Sequence, residues 1–188
     1  VKKVSGKAAA SVIDNAAGRF HYERERWGQK VESTVTGDTC ESTLDGSSEF
    51  TAEQAERFGL SCEAMRRTRD YHVYLYGLPM KLRDAGTVVH PEAQRTDFEG
   101  RDAWEVKVTY DPEVGSDTWY FYFDPESYAL VGYRFYHDEA ANDGEYIVLD
   151  RTVEGGGLRI PKVRTWFTHG DDRLLGTDTV RTLEAAGS

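Results

Sequence analysis

The residues best suited to chemistry lie in one polar segment, residues 136–146. Within it His137 directly precedes Asp138, and a histidine beside a carboxylate can act as a general acid–base pair. Asp143 and Glu145 offer further carboxylates, so a hydrolase or an isomerase is one hypothesis. Neighbouring side chains on a strand point to opposite faces, which separates His137 from Asp138. We therefore favour a histidine at the rim of the core over a catalytic one.

The same segment carries oxygen atoms that could bind calcium. The candidate ligands are Asp138, Asn142, Asp143 and Glu145. Calcium prefers such oxygen ligands, and the Gly144 that follows Asp143 allows a sharp turn, so a calcium-stabilised structural or interaction protein is a second hypothesis. The order of ligands does not follow the loop of helix–loop–helix calcium sites. We therefore favour a solvated β-turn and predict no metal or cofactor.

Other motifs for catalysis or metal binding are absent or open to two interpretations. The sequence has no Gly-x-Ser-x-Gly motif, and its five histidines include no pair at metal-ligand spacing. The three glycines at 155–157 lack the Lys-Ser/Thr that follows a phosphate loop. Cys40 and Cys62 form either a single disulfide or two free thiols, and the sequence favours neither.

Five consecutive aromatic residues at 119–123 are the strongest feature of the chain. Since side chains alternate along a strand, Trp119 and Phe121 share one face with Phe123, whereas the two tyrosines take the other face. Tyrosine hydroxyls suit a wetter environment, so we expect the phenylalanine face to be the apolar one. This face is either ordinary core or the lining of a ligand pocket.

The pattern around this run predicts a mostly β (α+β) protein. Strands are expected at 19–27, 30–36, 39–44, 94–98, 103–110, 117–124, 129–137, 145–153, 158–168 and 175–183. A helical insert at about 51–77 begins with the capping box of Thr51 and Gln54, is interrupted at Gly59 and ends before Pro79. Residues 1–18 are expected to be loose or partly helical, and 80–92 irregular. Successive antiparallel strands favour a curved sheet or unclosed β-barrel with a short helical lid.

Composition limits the partners and the compartment. The chain has 188 residues, 23 basic and 33 acidic, and a net charge of −10. An acidic chain is a poor partner for nucleic acid, and no apolar run is long enough to cross a membrane. We expect a single domain over 1–188, and a leader removed from this chain could provide peripheral membrane association.

Several segments resemble a family of uncharacterised exported bacterial proteins related to the lipoprotein carriers LolA and LolB. The residues that carry the resemblance are Gly-Arg-Asp-Ala-Trp-Glu-Val-Lys-Val-Thr at 100–109, the run from 117 to 133 with its Asp-Pro-Glu-Ser-Tyr turn, and shorter matches at 142–146 and 160–162. The resemblance implies a LolA-like fold, an unclosed antiparallel β-barrel with a helical lid over an apolar concavity. It also implies a periplasmic or outer-membrane-associated location.

Together these observations predict a non-enzymatic protein that binds a lipid, a lipoprotein acyl chain or another apolar ligand between sheet and lid. The sheet residues expected to contact the ligand are Trp104, Val106, Trp119, Phe121, Phe123, Tyr133 and Phe135. The lid residues expected to contact it are Met65, His72 and Leu75.

Overall fold

The computed structural model describes residues 8–185. Its strands are β1 (Ala9–Asp14), β2 (Arg19–Arg26), β3 (Gln29–Thr36), β4 (Thr39–Leu44), β5 (Thr87–Phe98), β6 (Arg101–Tyr110), β7 (Thr118–Phe123), β8 (Leu130–Tyr136), β9 (Glu145–Gly155), β10 (Leu158–Thr168) and β11 (Leu174–Thr179). Its helices are α1 (Ala52–Phe58) and α2 (Cys62–Gly77), with short 3-10 turns at Met80–Arg83 and Glu139–Ala141. The predicted fold class is confirmed: the chain is mostly β, with antiparallel, unclosed sheets and a helical insert.

The chain divides into two compact units, whose described parts are residues 8–77 and 78–185. The first contains a four-stranded sheet in the order β1-β2-β3-β4 and both α-helices. The second contains a seven-stranded sheet in which β5 to β11 are neighbours in chain order. The expectation that 1–188 forms one domain stays a prediction. Within residues 8–185, every helix is too short or too polar to cross a lipid bilayer.

The core of the first unit lies on one face of its sheet. Val31 and Leu44 are buried there together with Phe58 and Leu60 from the helical segment. The predicted capping box at Thr51 is confirmed, since its hydroxyl accepts a hydrogen bond from the Gln54 backbone N–H at 3.2 Å. The helix α1 ends at a left-handed glycine, as expected, and α2 packs against β3 and β4.

Strand β1 corrects the prediction of a loose or partly helical start at residues 1–18, of which 1–7 lie outside the described residues. Ala9 to Asp14 pair antiparallel with Arg24 to Arg19 of β2. This segment consists mostly of small residues and shows little alternation of apolar and polar side chains, so the local sequence did not indicate a strand. Its extended conformation comes from the backbone hydrogen bonds that it forms with the edge of β2, a tertiary effect that outweighs local propensity.

Strand β5 begins at Thr87, although residues 80–92 were expected to be irregular and the strand to start near 94. The prediction was wrong because His90-Pro91 suggested a turn. In the structure Pro91 lies where the pairing register with β6 shifts, between Val89 and Ala93. A proline has no N–H to donate and is tolerated at such an interruption of the ladder.

Part of the second face of the seven-stranded sheet, where the sequence suggested a wetter environment, is buried core. Phe98, Ala103, Tyr122 and Tyr146 form a buried cluster on it, and Tyr122 is 1% exposed. The Phe98 and Tyr122 rings stack at a centroid separation of 4.0 Å. The Arg134 guanidinium lies 5.6 Å from the Tyr122 ring centroid, a cation–π contact. Both faces of this sheet therefore carry packed aromatic side chains.

Candidate functional site: the aromatic face of the seven-stranded sheet

The seven sheet residues predicted to bind a ligand do share one face of β6, β7 and β8. We call this set the aromatic face: Trp104, Val106, Trp119, Phe121, Phe123, Tyr133 and Phe135. Val106 lies opposite Phe121, which in turn lies opposite Tyr133. Strand pairing thus forms a continuous row across three strands, and side chains directly opposite one another on a sheet are in contact range.

Ring contacts join four of these side chains, on β7 and β8, into one surface. The Trp119 ring stacks on Phe135 with centroids 4.9 Å apart and on Phe121 at 5.8 Å. Phe121 and Tyr133 are 5.9 Å apart. Such separations are typical of favourable aromatic pairs. The result is a surface of aromatic rings held by the sheet rather than by loops.

Burial varies systematically over the aromatic face. Phe121 at its centre is fully buried, and Tyr133 is 1% exposed. Trp104, Trp119 and Phe135, which surround them, are only half-buried. The face therefore has a solid centre and a margin of large rings that keep part of their surface accessible.

The aromatic face extends further than the sequence indicated. Ile147 of β9 lies opposite Tyr133, and Trp166 of β10 lies opposite Ile147, so both point to the same face. Arg164, also on β10, is 3% exposed and donates from Nη1 to the Pro161 carbonyl oxygen at 3.2 Å. Alternation along 158–168 could have assigned Trp166 and Arg164 to one face, but only the pairing register joins that face to Phe121.

The margins of this face are charged. The Arg95 guanidinium lies 5.0 Å from the Trp104 ring centroid, and its Nε donates to Asp102 at 3.0 Å. On the far side Trp166 donates from Nε1 to a carboxylate oxygen of Asp178 at 3.2 Å. Polar groups at the rim of an apolar surface are what an amphipathic ligand requires.

The three helical residues predicted to bind the ligand belong to the first unit. Met65 and Leu75 are buried on α2, at 4% and 6% exposure. The His72 ring lies 5.5 Å from Phe20 and 4.7 Å from Tyr22, centroid to centroid. These are contacts of the kind that stabilise a core, and a role for the three residues in ligand binding stays a prediction.

In the polar segment 136–146, His137 and Asp143 both form contacts that the sequence did not indicate, and the catalytic and calcium hypotheses made for this segment stay predictions. His137 Nδ1 lies 2.9 Å from a carboxylate oxygen of Asp117, which raises the pKa of His137. Asp143 accepts hydrogen bonds from the backbone N–H groups of His137 and Asp138, at 2.9 and 2.8 Å. Asp143 thus closes a turn, and the partner of the exposed His137 is a residue that the sequence analysis did not consider.

Metal-ligating residues come together elsewhere. In the part of the chain that the structure describes, one group of three His, Cys, Asp or Glu side chains has ligand atoms within 4.8 Å of one another: His21, Glu23 and Glu32. Of the calcium candidates, the acidic residues Asp138, Asp143 and Glu145 do not belong to such a group, and the calcium hypothesis, which also includes Asn142, stays a prediction. The sequence did not indicate the group of His21, Glu23 and Glu32, because its members come from two strands and meet only through strand pairing.

The two cysteines form a disulfide, one of the two alternatives left open by the sequence. Cys40 of β4 and Cys62 of α2 have Cα atoms 5.4 Å apart. Beside the bridge lies an open depression of about 580 Å³ on the first unit. Phe50, Leu60 and Met65 contribute to its lining.

Comparison with known proteins places most of the chain in one family. Residues 21–182 match the Family of unknown function (DUF6503). No curated protein matches the chain. Among solved structures it is similar to a domain from Vibrio parahaemolyticus described as a candidate outer membrane lipoprotein-sorting protein. The two share 10% identity with a TM-score of 0.43, over 95% of this chain and 78% of the other.

Proposed function

Because the chain belongs to the Family of unknown function (DUF6503), whose description assigns no activity, we propose a function from the geometry of its sheet. The protein binds an apolar or amphipathic ligand without chemical conversion, and the ligand class is a lipid acyl chain. The binding surface is the aromatic face. The ligand class is the one predicted from the sequence, but the proposed binding surface lies on the seven-stranded sheet alone.

The observation that carries the proposal is the margin of half-buried rings around a buried centre. Trp104, Trp119 and Phe135 retain accessible apolar surface next to Phe121, which is fully buried. Covering exposed apolar area is favourable by roughly 25 cal/mol per Å². An acyl chain lying against these rings would remove that area from water, and the rigid sheet would lose little conformational entropy on binding.

The charged margins favour an amphipathic ligand over a purely apolar one. Arg95 beside Trp104 and Asp178 beside Trp166 are at the edges of the apolar surface. A ligand with one polar end could keep that end among these groups while its chain lies on the rings. Lipids and acylated peptides share this chemistry.

The disulfide supports an exported location for this function. Disulfides persist in oxidising compartments such as the periplasm and are rare in the cytosol. Cys40 and Cys62 are bridged, and the described residues contain no free cysteine. We therefore place the protein in the periplasm or in association with the outer membrane.

Tryptophan quenching by a bromine-labelled fatty acid tests the proposal directly. Three of the four tryptophans, Trp104, Trp119 and Trp166, lie on the face in question, and Trp27 belongs to the first unit. Bound label should quench the sheet tryptophans in a saturable way. In the parent, Trp27 should remain unquenched. After Trp27→Phe, nearly all of the remaining tryptophan fluorescence should therefore be quenched at saturation.

A matched pair of variants locates the site. Phe135→Ala removes a half-buried ring from the aromatic face and should weaken binding about tenfold, which corresponds to about 1.4 kcal/mol. Phe167→Ala removes a half-buried ring from the opposite face of the same sheet and should leave the affinity within about twofold of the parent. Equal losses in both variants, or no saturable quenching in the parent, would contradict the proposal.

A further inference from the structure

The polar face of the four-stranded sheet holds a cluster that the proposed function does not use. His21 and Glu23 are two residues apart on β2, so their side chains share a face. Glu32 of β3 is the direct pairing partner of Glu23. The imidazole nitrogen and the two carboxylates approach one another within 4.8 Å. All three side chains are partly buried, at 23%, 40% and 29% exposure in that order. One nitrogen and two oxygen ligands therefore converge from two paired strands.

Two glutamates directly opposite each other are an unfavourable cross-strand pair unless a cation lies nearby. The Lys30 ammonium supplies one, 2.7 Å from Glu32 and 3.5 Å from Glu23. This ammonium is within ion-pair distance of both carboxylates and offsets the repulsion between them.

Two hydroxyls outside the cluster orient its ligands. The Thr34 hydroxyl lies 2.9 Å from His21 Nδ1, and the Thr43 hydroxyl donates to Glu32 Oε2 at 3.1 Å. With Nδ1 engaged in this way, His21 Nε2 faces the carboxylates, 3.1 Å from Glu23. Metal binding through Nε2 requires the tautomer in which Nδ1–H donates to the Thr34 hydroxyl, and an outer hydrogen bond of that type holds the ring orientation of histidines that bind metals.

We propose that His21, Glu23 and Glu32 bind a divalent transition-metal ion, with Zn²⁺ the best match. An imidazole nitrogen with two carboxylate oxygens suits zinc, whereas calcium and magnesium take all-oxygen sites. Three protein ligands leave the fourth tetrahedral position to water. The Lys30 side chain is 55% exposed on a flexible stem, so it can move away when the metal enters. The ammonium and the metal ion therefore compete for the same two carboxylates.

Zinc titration of the whole chain, after dialysis against a chelator, tests this site without reference to lipid binding. Calorimetry should give one equivalent of bound Zn²⁺. Cobalt should produce the visible absorption of a tetrahedral nitrogen–oxygen site. His21→Ala and the isosteric Glu32→Gln should each lower zinc affinity by about tenfold or more, since even outer partners of a site account for that much.

Two further variants separate a metal site from a structural ion pair. Asp117→Asn alters the His137–Asp117 pair, a histidine–carboxylate contact with Nδ1 and Oδ1 2.9 Å apart, and should leave zinc binding unchanged. Lys30→Met removes the competing ammonium and should tighten zinc binding severalfold. If Lys30→Met lowers thermal stability and leaves zinc affinity unchanged, or if Glu32→Gln binds zinc like the parent, the cluster is an ion-pair network and the inference is wrong.

Discussion

At the residue scale, Gly132 explains how the buried cluster on the second face of the seven-stranded sheet can form. A Cβ atom at this position would overlap the Phe98 ring and would lie 2.8 Å from the Ile147 carbonyl oxygen. The missing side chain leaves the space in which Phe98 lies flat over the sheet and stacks on Tyr122. On the face where sequence alternation predicted a wetter environment for the tyrosines, Tyr122 is therefore covered by a ring from the end of β5.

Gly132→Ala should lower the free energy of unfolding by about 3 kcal/mol, because overpacking a core typically costs about 1–3 kcal/mol and here part of the obstacle is backbone. Chemical denaturation measures the change. Gly176→Ala is the matched control: this glycine is on β11 of the same sheet, and a methyl group added there would meet nothing within 4 Å. Its free energy of unfolding should stay within about 0.5 kcal/mol of the parent.

A double-mutant cycle identifies the ring as the cause. Combining Gly132→Ala with Phe98→Leu should recover part of the loss, since the smaller side chain makes room for the methyl group. The contact with the Ile147 carbonyl oxygen should keep recovery incomplete. Strict additivity of the two substitutions would show that Phe98 does not occupy this space.

At the element scale, local signals predicted some elements and missed others for identifiable reasons. Thr51, Gln54 and Gly59 mark α1 because caps are local chemistry that one stretch of sequence contains. Strand β1 was missed since its extended state depends on pairing with β2. The start of β5 was missed since the register shift that accommodates Pro91 depends on β6.

The aromatic face and the His21–Glu23–Glu32 cluster were also predicted only in part, because both depend on which strands pair. Alternation placed Trp119 and Phe121 on one face, but it could not show that Trp166 joins them through β9. Glu23 and Glu32 are nine positions apart and come together only through the hairpin at Trp27-Gly28, whose pairing register fixes them opposite each other. A two-residue turn assigned there would have predicted this pair.

The disulfide between β4 and α2 should contribute about 3 kcal/mol to stability, the value expected from the loop entropy that a bridge with a separation of 22 residues removes from the unfolded chain. The double substitution Cys40→Ser and Cys62→Ser should lower the free energy of unfolding by that amount. Thermal unfolding of the parent in a thiol reductant should show a similar decrease in Tm. An unchanged Tm on reduction would contradict the bridge.

At the scale of the whole molecule, the net charge of −10 acts on every ligand that approaches. Such a charge repels anions at low ionic strength, and salt weakens the repulsion because the Debye length falls to about 8 Å at physiological ionic strength. Near the aromatic face the cation of Arg95 already has a carboxylate partner in Asp102, and Asp178 adds a negative charge. Neither the whole chain nor the local margin therefore favours an anionic head group.

A neutral monoacylglycerol should consequently bind more tightly than a fatty acid anion of the same chain length at low salt, by about fivefold, which corresponds to about 1 kcal/mol. Raising the salt to about 0.5 M should strengthen fatty acid binding and bring the two affinities together, since screening removes the repulsion and leaves the shared apolar contact. Competition for the bromine-labelled probe measures both affinities. Tighter binding of the anion at low salt would contradict this prediction and would mean that a cation on this face binds the head group. Arg164 would then be the first residue to replace. The ligand would then be recognised by its charge as well as by its chain.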